Sequence, residues 1–565
     1  MNIFNLVVEK KIRKNIYVFI LNAVLLSAME LITISSLMPV INIVLFENHS
    51  SQLFDYLNLD NINSLNINLI VVVVFSLMIV FLAYFRIIHL KKSLKLMHEI
   101  GLSINLRIYR IILNKKYLFF VNVSSNKIIS LLTTDSRIVL NDVIWPFLNI
   151  ITTSLVTISI LGGLLFFDFQ VTMFVMLSIC LIYYLKLRLS NEILIKNSQN
   201  ISDKSIKSLK IINESVGGIR DVLVNKLQGF YIKELETNEK ELKVALISNQ
   251  FIGMMPKYIL ESSGMILILV ISTLMVIGGK DKNNVITSVG VLIFAIQRLI
   301  PIMQQLYISI TQIKGARQSL REILDLLKQE KDNSVIEKSK LDFKNQIQFK
   351  NINFAYDKNK IIISDFNYEI KKGEKVGIIG KTGAGKSTLI DLFLGFLPSG
   401  SGCIEVDGVM LHEGNLSKWQ NNVSIVPQSI FLADTSIIEN IAFGMTKEEI
   451  DVELVKRVCK LALIDEFFAS LSEGYETKIG ERGVRLSGGQ RQRIGIARAL
   501  YSQKEILILD EATNALDAET EKEIMQNICS SDVSQTILII SHNHSTLDQC
   551  NKIIDLNQIS YGHKQ

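Results

Sequence analysis

Cysteine, proline and tryptophan are scarce in this chain of 565 residues, which contains five, six and two of them. The cysteines are odd in number, form no C-x-x-C pair, and four of the five lie beyond residue 400. Such usage argues against a disulfide framework and against a cysteine-ligated zinc site. The sequence also lacks an internal repeat and a low-complexity tract.

Positive charge is absent from two long stretches, residues 15–85 and 138–185, which contain no lysine or arginine. The net charge of the whole chain is only +6, and its basic residues are spread along connecting segments. This pattern argues against a nucleic acid as partner. With 49% apolar residues, the chain is more apolar than most soluble proteins.

Six apolar segments are long enough to cross a bilayer, which takes about 20 residues. They lie at residues 17–46, 66–90, 143–167, 170–189, 252–279 and 285–312. The first follows a basic N-terminus but is too long for a cleaved signal peptide. We therefore predict a six-helix transmembrane domain over residues 1–327, a polar linker at 328–344 and a second domain at 345–565.

Lysine and arginine are concentrated in the two long connections, residues 91–142 and 190–251. The positive-inside rule places these connections and both termini in the cytoplasm, with Lys280 and Lys282 as a minor exception. Because an even number of spans returns the chain to its starting side, the second domain is expected there too. Helical periodicity in both connections predicts that the membrane helices continue into the cytosol.

A glycine-rich loop, Gly380–Ser387, matches the pattern G-x-x-x-x-G-K-S. An apolar strand at 375–379 precedes it, and an apolar helix at 388–396 is predicted to follow. Glycines let backbone N–H groups turn toward a phosphate, and the helix N-terminus adds positive potential. Lys386 is expected to reach the β- and γ-phosphates, and Ser387 to ligate Mg²⁺.

Two further motifs follow this loop, and each occurs once. Leu486–Gln490 reads LSGGQ, and the apolar strand at 506–509 ends in Asp510 and Glu511. A buried strand with a carboxylate at its end delivers Asp510 to the Mg²⁺ side of a phosphate site. These motifs, in this order, resemble the nucleotide-binding domain of ATP-binding cassette (ABC) proteins.

The resemblance implies a multidomain fold in which an all-α exporter domain precedes an α/β P-loop ABC domain. It implies ATP and Mg²⁺ as cofactors and a transport ATPase as the activity. In that family, ATP lies between the phosphate loop of one subunit and the LSGGQ of another. A single set of motifs therefore predicts a homodimer, with a heterodimer as the alternative.

The resemblance also assigns roles to individual residues. Glu511 is expected to be the general base and His542 the switch histidine, while Ser387, Gln428 and Asp510 hold Mg²⁺. ATP contacts within one subunit are expected from Tyr356, Gly380, Lys381, Thr382, Gly383, Ala384, Gly385, Lys386, Ser387, Thr388 and Gln428. Contacts to the ATP of the other subunit are expected from Ser487, Gly488, Gly489, Gln490 and Asp517.

Two residues depart from the family pattern, and one segment supports an exporter. Asn514 replaces the usual serine of the D-loop, and Asn543 replaces the arginine that commonly follows the switch histidine. In the family picture neither is in direct contact with the chemistry. Thr477–Gly483 resembles the exporter segment that contacts the coupling helices, which are expected within Tyr117–Asp135 and Glu214–Phe230. An H-x-H formed with His544 lacks further ligands for a metal site.

The membrane half is similar to bacterial flippases of lipid-linked oligosaccharides. The similarity rests on the segments around Met29–Pro39, Pro256–Glu261 and Arg298–Pro301, and on Gln52–Asn58, which looks like a short external helix. Charges at bilayer depth are costly and face a polar cavity or each other. The candidates that line a substrate pathway are Arg298, Glu261, Lys257, Arg86 and Glu30. A structural ion pair between Arg298 and Glu261 is the alternative.

These observations predict an ATP-driven flippase in the bacterial plasma membrane that moves an amphipathic, lipid-linked glycan to the outer leaflet. An exporter of a peptide, lipid or drug is the first alternative. A non-transporting, ATP-gated regulator is more remote, because the residues expected to be catalytic are intact.

Overall fold

The computed structural model describes residues 10–46, 64–167, 169–278, 282–329, 339–357, 360–480, 483–530, 535–541 and 547–559. The chain divides into two compact units. The first comprises Met1–Lys115 and Phe119–Lys331, and the second comprises Lys116–Leu118 and Asp332–Gln565. The proposed external helix at Gln52–Asn58 lies outside the described residues.

Helices form the described part of the chain before residue 330. They are α1 Lys10–Phe46, α2 Ser64–Leu113, α3 Tyr117–Asn122, α4 Ser125–Ser130, α5 Ser136–Val139, α6 Trp145–Phe167, α7 Phe169–Gly217, α8 Ile219–Val224, α9 Gln228–Ile277, α10 Lys282–Gly315 and α11 Arg317–Leu327. Two π-helical turns, Leu131–Asp135 and Leu140–Ile144, lie on either side of α5. The short helices α3, α4 and α8 lie within the segments expected to contain coupling helices.

Packing of the long helices follows their apolar faces. Helix α1 packs against α2 and α6, and α10 packs against α6 and α9. A buried core that includes Leu26, Ile160 and Leu299 joins α1, α6 and α10. Large apolar side chains also remain exposed on these helices, for example Val80 and Leu269. Exposed apolar surface of this extent is typical of helices that face lipid.

Four stretches of the described residues are long and apolar enough to cross a membrane. They are Ile12–Ser36, Leu69–Leu113, Ser125–Leu165 and Gln228–Ile277. Helices α7 and α10 cover the fourth and sixth predicted segments without meeting that criterion over their described residues. Six long helices thus stand where six spans are predicted, and the six-span topology stays a prediction.

The second unit contains two sheets. Its strands are β1 Gln346–Asp357, β2 Lys360–Lys371, β3 Lys375–Ile379, β4 Ser401–Val406, β5 Val409–Met410, β6 Val423–Val426, β7 Ile506–Asp510, β8 Thr536–Ile540 and β9 Lys552–Asp555. An antiparallel sheet has the order β2-β1-β4-β5, and a parallel sheet has the order β6-β7-β8-β3-β9. The strands predicted before the phosphate loop and before Asp510 are therefore confirmed as β3 and β7.

Helices of the second unit surround these sheets. They are α12 Lys386–Phe393, α13 Leu416–Gln420, α14 Ile437–Ile441, α15 Val452–Leu461, α16 Asp465–Ala469, α17 Gly488–Tyr501, α18 Ala518–Ser530 and α19 Leu556–Ile559, with 3₁₀ turns at Lys447–Glu449 and Gly474–Glu476. Helix α12 begins and ends two or three residues earlier than predicted. It begins inside the phosphate loop, and it ends before Gly395, whose φ of +70° terminates the helix in the left-handed conformation.

The parallel sheet explains how distant motifs come together. Residues Ile506–Leu509 are at most 1% exposed, as expected for a parallel strand covered on both faces. Strands β6, β7, β8 and β3 are consecutive neighbours, so their carboxyl ends lie along one edge. Open α/β sheets bind ligands at this edge.

Candidate functional site

The phosphate loop lies between the end of β3 and the start of α12. Lys386 is 8% exposed, and its ammonium donates to the carbonyl oxygen of Gly380 at 2.7 Å. Ser387, in the first turn of α12, is exposed. The lysine thus bends back over the loop, and the serine hydroxyl lies at the surface where a nucleotide phosphate and its metal ion are expected.

Two glycines of this loop have conformations that other residues rarely adopt. Gly383 has a φ of +87° and faces open space, and Gly385 has a φ of +95°. A Cβ at Gly385 would lie 2.9 Å from Cγ2 of Ile362, which leaves no room for a side chain. Lys381 and Thr382 are exposed, with Ala384 completing the turn. The backbone concavity fits an anionic phosphate.

Tyr356 is available for stacking rather than part of the core. It is 58% exposed, and its ring meets Phe354 edge-on with centroids 4.9 Å apart. Tyr356 Oη and Thr388 Oγ1 lie 3.3 Å apart, within hydrogen-bond distance. This contact holds the ring beside the first turn of α12, where an adenine can lie on its face.

Asp510 is the last residue of β7, Glu511 follows it directly, and Gln428 lies two residues beyond β6. The amide of Gln428 donates to Oε2 of Glu511 at 2.6 Å. Glu511 has a φ of +49°, and its backbone N–H donates to the carbonyl oxygen of Ile540 at 3.0 Å. A strained residue held by the neighbouring strand is common at functional sites. The structure thus places the side chain of Gln428 in direct contact with that of Glu511.

Asn514 corrects an expectation. The family pattern places this residue out of direct contact with the chemistry, but its side-chain amide donates to Oε2 of Glu511 at 3.0 Å. The reason is a turn over residues 511–516 that folds the chain back, with the Leu516 N–H bonded to the Thr513 carbonyl. Asn514 and Glu511 are three residues apart, and this short separation within a turn is the local feature from which the contact could be predicted.

The electrostatics of the site favour a bound cation. Burial raises the pKa of Asp510, the neighbouring Glu511 charge raises it further, and Lys386 opposes both. Positive charge is therefore stabilised at this carboxylate. Ser387, Gln428 and Asp510 offer hydroxyl, amide and carboxylate oxygens, which are the ligand types that Mg²⁺ takes beside nucleotide phosphates. Over the described ranges, no cluster of three histidine, cysteine or acidic side chains forms a separate metal site.

The LSGGQ segment begins helix α17. The hydroxyl of Ser487 accepts from the backbone N–H of Gln490, and the Gln490 side chain accepts from the backbone N–H of Ser487. This capping box leaves the helix N-terminus and the exposed Ser487 facing away from the protein. Gly488 and Gly489 pack against the loop after Glu511, where a Cβ at Gly489 would lie 3.1 Å from the carbonyl oxygen of Ala515.

Of two further residues expected to contact nucleotide, Asp517 and His542, the structure describes only Asp517. Both carboxylate oxygens of Asp517 accept from Thr520, at 2.9 Å from its N–H and 2.8 Å from its hydroxyl, so Asp517 caps α18. Its contact with a second subunit stays a prediction. His542 and Asn543 lie outside the described residues, as do Glu481 and Arg482 of the exporter segment.

A separate charged cluster lies among the long helices. Glu30 is only 2% exposed, and its carboxylate accepts from Nε of Arg86 at 2.8 Å and from Nη2 of Arg298 at 3.0 Å. Lys257 and Glu261 instead pair with each other across one turn of α9, 3.7 Å apart. The alternative that paired Arg298 with Glu261 is wrong, because helix packing brings Arg298 to α1. The hydrogen bond that the Lys92 ammonium donates to Oδ1 of Asn22, at 3.2 Å, was not predicted from the sequence.

Asp391, on α12, provides a test of the local electrostatics. Burial and the nearby negative charge of Asp510 raise its pKa to about 6, above the unfolded value of about 3.9. Its contribution to folding stability is therefore present below about pH 4 and lost as pH rises through 6. Because the side chain is partly exposed, we expect Asp391→Asn to stabilise the nucleotide-free protein by only about 1 kcal/mol at pH 7.5, which raises Tm by about 2–4 °C.

The measurement is thermal unfolding of the full chain at pH 7.5 and pH 4.5. The gain is expected to shrink at the lower pH, where Asp391 is largely protonated in the native protein. Asp434→Asn, at an exposed position, is the control and is expected to leave Tm unchanged at both pH values. A gain of equal size at both pH values would show that charge at Asp391 is not its cause.

Comparison with known families gives two matches that cover most of the chain. Residues 16–300 match the ABC transporter transmembrane region. Residues 363–514, which include the phosphate loop, the LSGGQ and Glu511, match the ABC transporter family.

Individual relatives are similar over most of the length. The heterocyst differentiation ATP-binding protein HepA of Nostoc is 29% identical over 78% of this chain and 72% of its own. An ATP-dependent lipid A-core flippase of Haemophilus influenzae is 27% identical over 81% of this chain and 78% of its own. A protein of the same name from Legionella pneumophila is 31% identical over 64% of this chain and 62% of its own.

A solved structure of a bacterial Atm1-family ABC exporter with ATP bound has the same fold. It superimposes with a TM-score of 0.80 over 98% of this chain and 94% of its own, at 20% sequence identity. The chain therefore belongs to the ABC transporter family and is an ABC exporter and transport ATPase, with a helical transmembrane region followed by an ATP-binding domain.

Proposed function

We propose that this exporter flips a lipid-linked oligosaccharide, a polyprenyl-pyrophosphate glycan, from the inner to the outer leaflet of the bacterial plasma membrane. It works as a homodimer, with both termini in the cytoplasm. The observation that carries the choice of substrate is the cluster of Glu30, Arg86 and Arg298. Relatives named lipid A-core flippase favour a lipid over a peptide or drug.

The cluster has one more positive than negative charge. Its single carboxylate is buried, with 3% of the Glu30 side chain exposed, whereas 36% of Arg86 and 31% of Arg298 remain exposed. Each guanidinium has five N–H donors, and Glu30 cannot use all of them. The unused donors and the excess charge suit a phosphate group, which binds guanidinium through paired hydrogen bonds. A pyrophosphate linked to a polyprenyl tail supplies this charge and an apolar chain for the lipid.

The glutamate has a defined part in this site. Without Glu30, two guanidinium groups would face each other among apolar helices, at a cost of several kcal/mol. With Glu30, both arginines are held in place before the substrate arrives. Lys257 and Glu261 form their own partly exposed pair on α9, so they contribute to the wall of the pathway rather than to this cluster.

ATP supplies the energy for transport. Lys386 binds the β- and γ-phosphates, and Tyr356 stacks on the adenine. Ser387, Asp510 and Gln428 would hold Mg²⁺, which would neutralise phosphate charge. Glu511 takes the proton of the attacking water, and the family resemblance assigns His542, which lies outside the described residues, the role of the switch histidine. Ser487 of the other subunit completes the site. Binding of two ATP molecules closes the dimer, and hydrolysis reopens it, which alternates access to the cavity.

The experiment is substrate-stimulated ATPase activity and lipid flipping in proteoliposomes that contain a polyprenyl-pyrophosphate oligosaccharide. We expect Arg298→Gln to raise the half-stimulating substrate concentration about tenfold to a hundredfold. This ratio corresponds to the binding free energy that a charge-assisted hydrogen bond contributes. Arg298→Lys keeps the charge but loses the paired geometry, so its effect is expected to be smaller. Basal ATPase activity is expected to stay near that of the unaltered protein.

The control is Lys95→Gln, which removes a charge that is 78% exposed on α2. It is expected to leave the half-stimulating concentration unchanged. If both arginine variants respond to the glycan as the unaltered protein does, the cluster does not bind it. If a peptide stimulates the ATPase and the glycan does not, the substrate class is wrong.

A further inference from the structure

Asn514 is the residue of the ATP site whose role the family resemblance leaves unassigned. Its amide nitrogen lies 3.0 Å from Oε2 of Glu511, and the amide nitrogen of Gln428 lies 2.6 Å from the same oxygen. Two donors therefore converge on one carboxylate oxygen. The two bonds together fix the direction of the Glu511 carboxylate.

The loop that carries Asn514 is anchored at several points. The backbone N–H of the next residue, Ala515, donates to the side chain of Gln492 on α17 at 2.8 Å. Thr513, which is 5% exposed, donates through its hydroxyl to Glu521 at 2.7 Å. The residues on both sides of Asn514 are thus fixed to α17 and α18. An amide on so constrained a backbone loses little entropy when it holds a neighbouring side chain.

Gln428 and Asn514 differ in what else they are expected to bind. Gln428 is exposed and follows a strand end, and its proposed partner in the loaded site is Mg²⁺. When its amide oxygen turns to the metal, its contact with Glu511 weakens. Asn514 has no such competing duty, because its turn directs the amide toward Glu511. It therefore remains the donor on Oε2 throughout the reaction.

We propose that Asn514 is a positioning residue that orients the carboxylate of Glu511 for proton abstraction from the attacking water. The proposal rests on the proposed role of Glu511 as general base. Asn514 contacts neither ATP nor water in this role; it acts through Glu511. The amide holds one oxygen of the carboxylate and so fixes the direction of the group.

Asn514→Asp is the most informative substitution, because it keeps the size of the side chain while replacing a hydrogen-bond donor with a negative charge. In the full chain in proteoliposomes, we expect kcat for ATP to fall at least about tenfold, since small misplacements of a reacting group cost this much or more. KM for ATP is expected to change less than about twofold, because no ATP contact is lost.

Gln526→Glu is the matched control, because it adds the same charge at an exposed position of α18 in the same domain. It is expected to keep the kcat and KM of the unaltered protein. A second test combines Asn514→Asp with Glu511→Gln. If Asn514 acts through Glu511, the double variant hydrolyses ATP at the residual rate of Glu511→Gln alone. A purely structural role would lower the rate further.

The outcomes separate the two proposals. If Glu511→Gln is inactive while Asn514→Asp keeps the kcat of the unaltered protein, the positioning role is overturned and the base assignment stands. If Glu511→Gln itself hydrolyses ATP at the normal rate, both fail together. A reduced kcat at nearly unchanged KM, with no further loss in the Glu511→Gln background, supports Asn514 as the positioning residue.

Discussion

Replacement of Glu511 with glutamine is expected to reduce ATP hydrolysis about 10²–10⁴-fold, which is the usual contribution of a positioned general base. Glutamine keeps the size of the side chain but cannot accept the proton of the attacking water. ATP binding is expected to persist, because the phosphate loop is unchanged. Phosphate release and retained ATP, measured on the same purified protein, give both quantities.

The local structure makes this variant a test of chemistry rather than of folding. A glutamine carbonyl oxygen can still accept from Gln428 and Asn514, as Oε2 of Glu511 does at 2.6 and 3.0 Å. The backbone bond from residue 511 to Ile540 does not involve the side chain. The turn is therefore expected to survive the substitution.

Glu523→Gln provides the control, because Glu523 is exposed on α18 and outside the site. It is expected to hydrolyse ATP at the normal rate. If Glu511→Gln did the same, Glu511 would not be the base. If instead it failed to retain ATP, the loss of turnover would reflect binding and not proton transfer.

Much of the ATP site is predictable from the sequence because its residues adjoin apolar strands. The runs before Gly380 and before Asp510 are short, apolar and followed by polar residues, which is the pattern of a buried parallel strand. The sequence does not reveal that β8 lies between β3 and β7. Strand order depends on packing between segments far apart in the chain, and no local pattern records it.

The charged cluster shows the same limit in the membrane half. Glu30, Arg86 and Arg298 stand out in the sequence because each interrupts an apolar segment. Their pairing joins residues separated by 56 and 268 positions, which depends on how α1, α2 and α10 pack. The Lys257–Glu261 pair is different, because it joins residues four apart on one helix, which lie on the same face, and so depends only on local structure.

The strongest test of the proposed dimer uses two inactive variants that restore each other. Lys386→Ala removes the ammonium expected to bind the β- and γ-phosphates. Ser487→Asp keeps a good helix N-cap, since aspartate caps as well as serine, but sets a negative charge toward the γ-phosphate of the other subunit. Each homodimer is expected to lose most ATPase activity, because both of its sites carry a defect. Phosphate release from each variant alone and from an equal mixture, coexpressed, measures the effect.

In a mixed dimer the two defects fall into one site and leave the other complete. Random pairing makes half of the dimers mixed, so the mixture is expected to recover about a quarter of the activity of the unaltered protein. A mixture of Lys386→Ala with a second copy of Lys386→Ala is the control and stays inactive. If each site were built within a single chain, the mixture of Lys386→Ala with Ser487→Asp would also stay inactive. Recovery therefore requires that Lys386 and Ser487 of different subunits act on the same ATP.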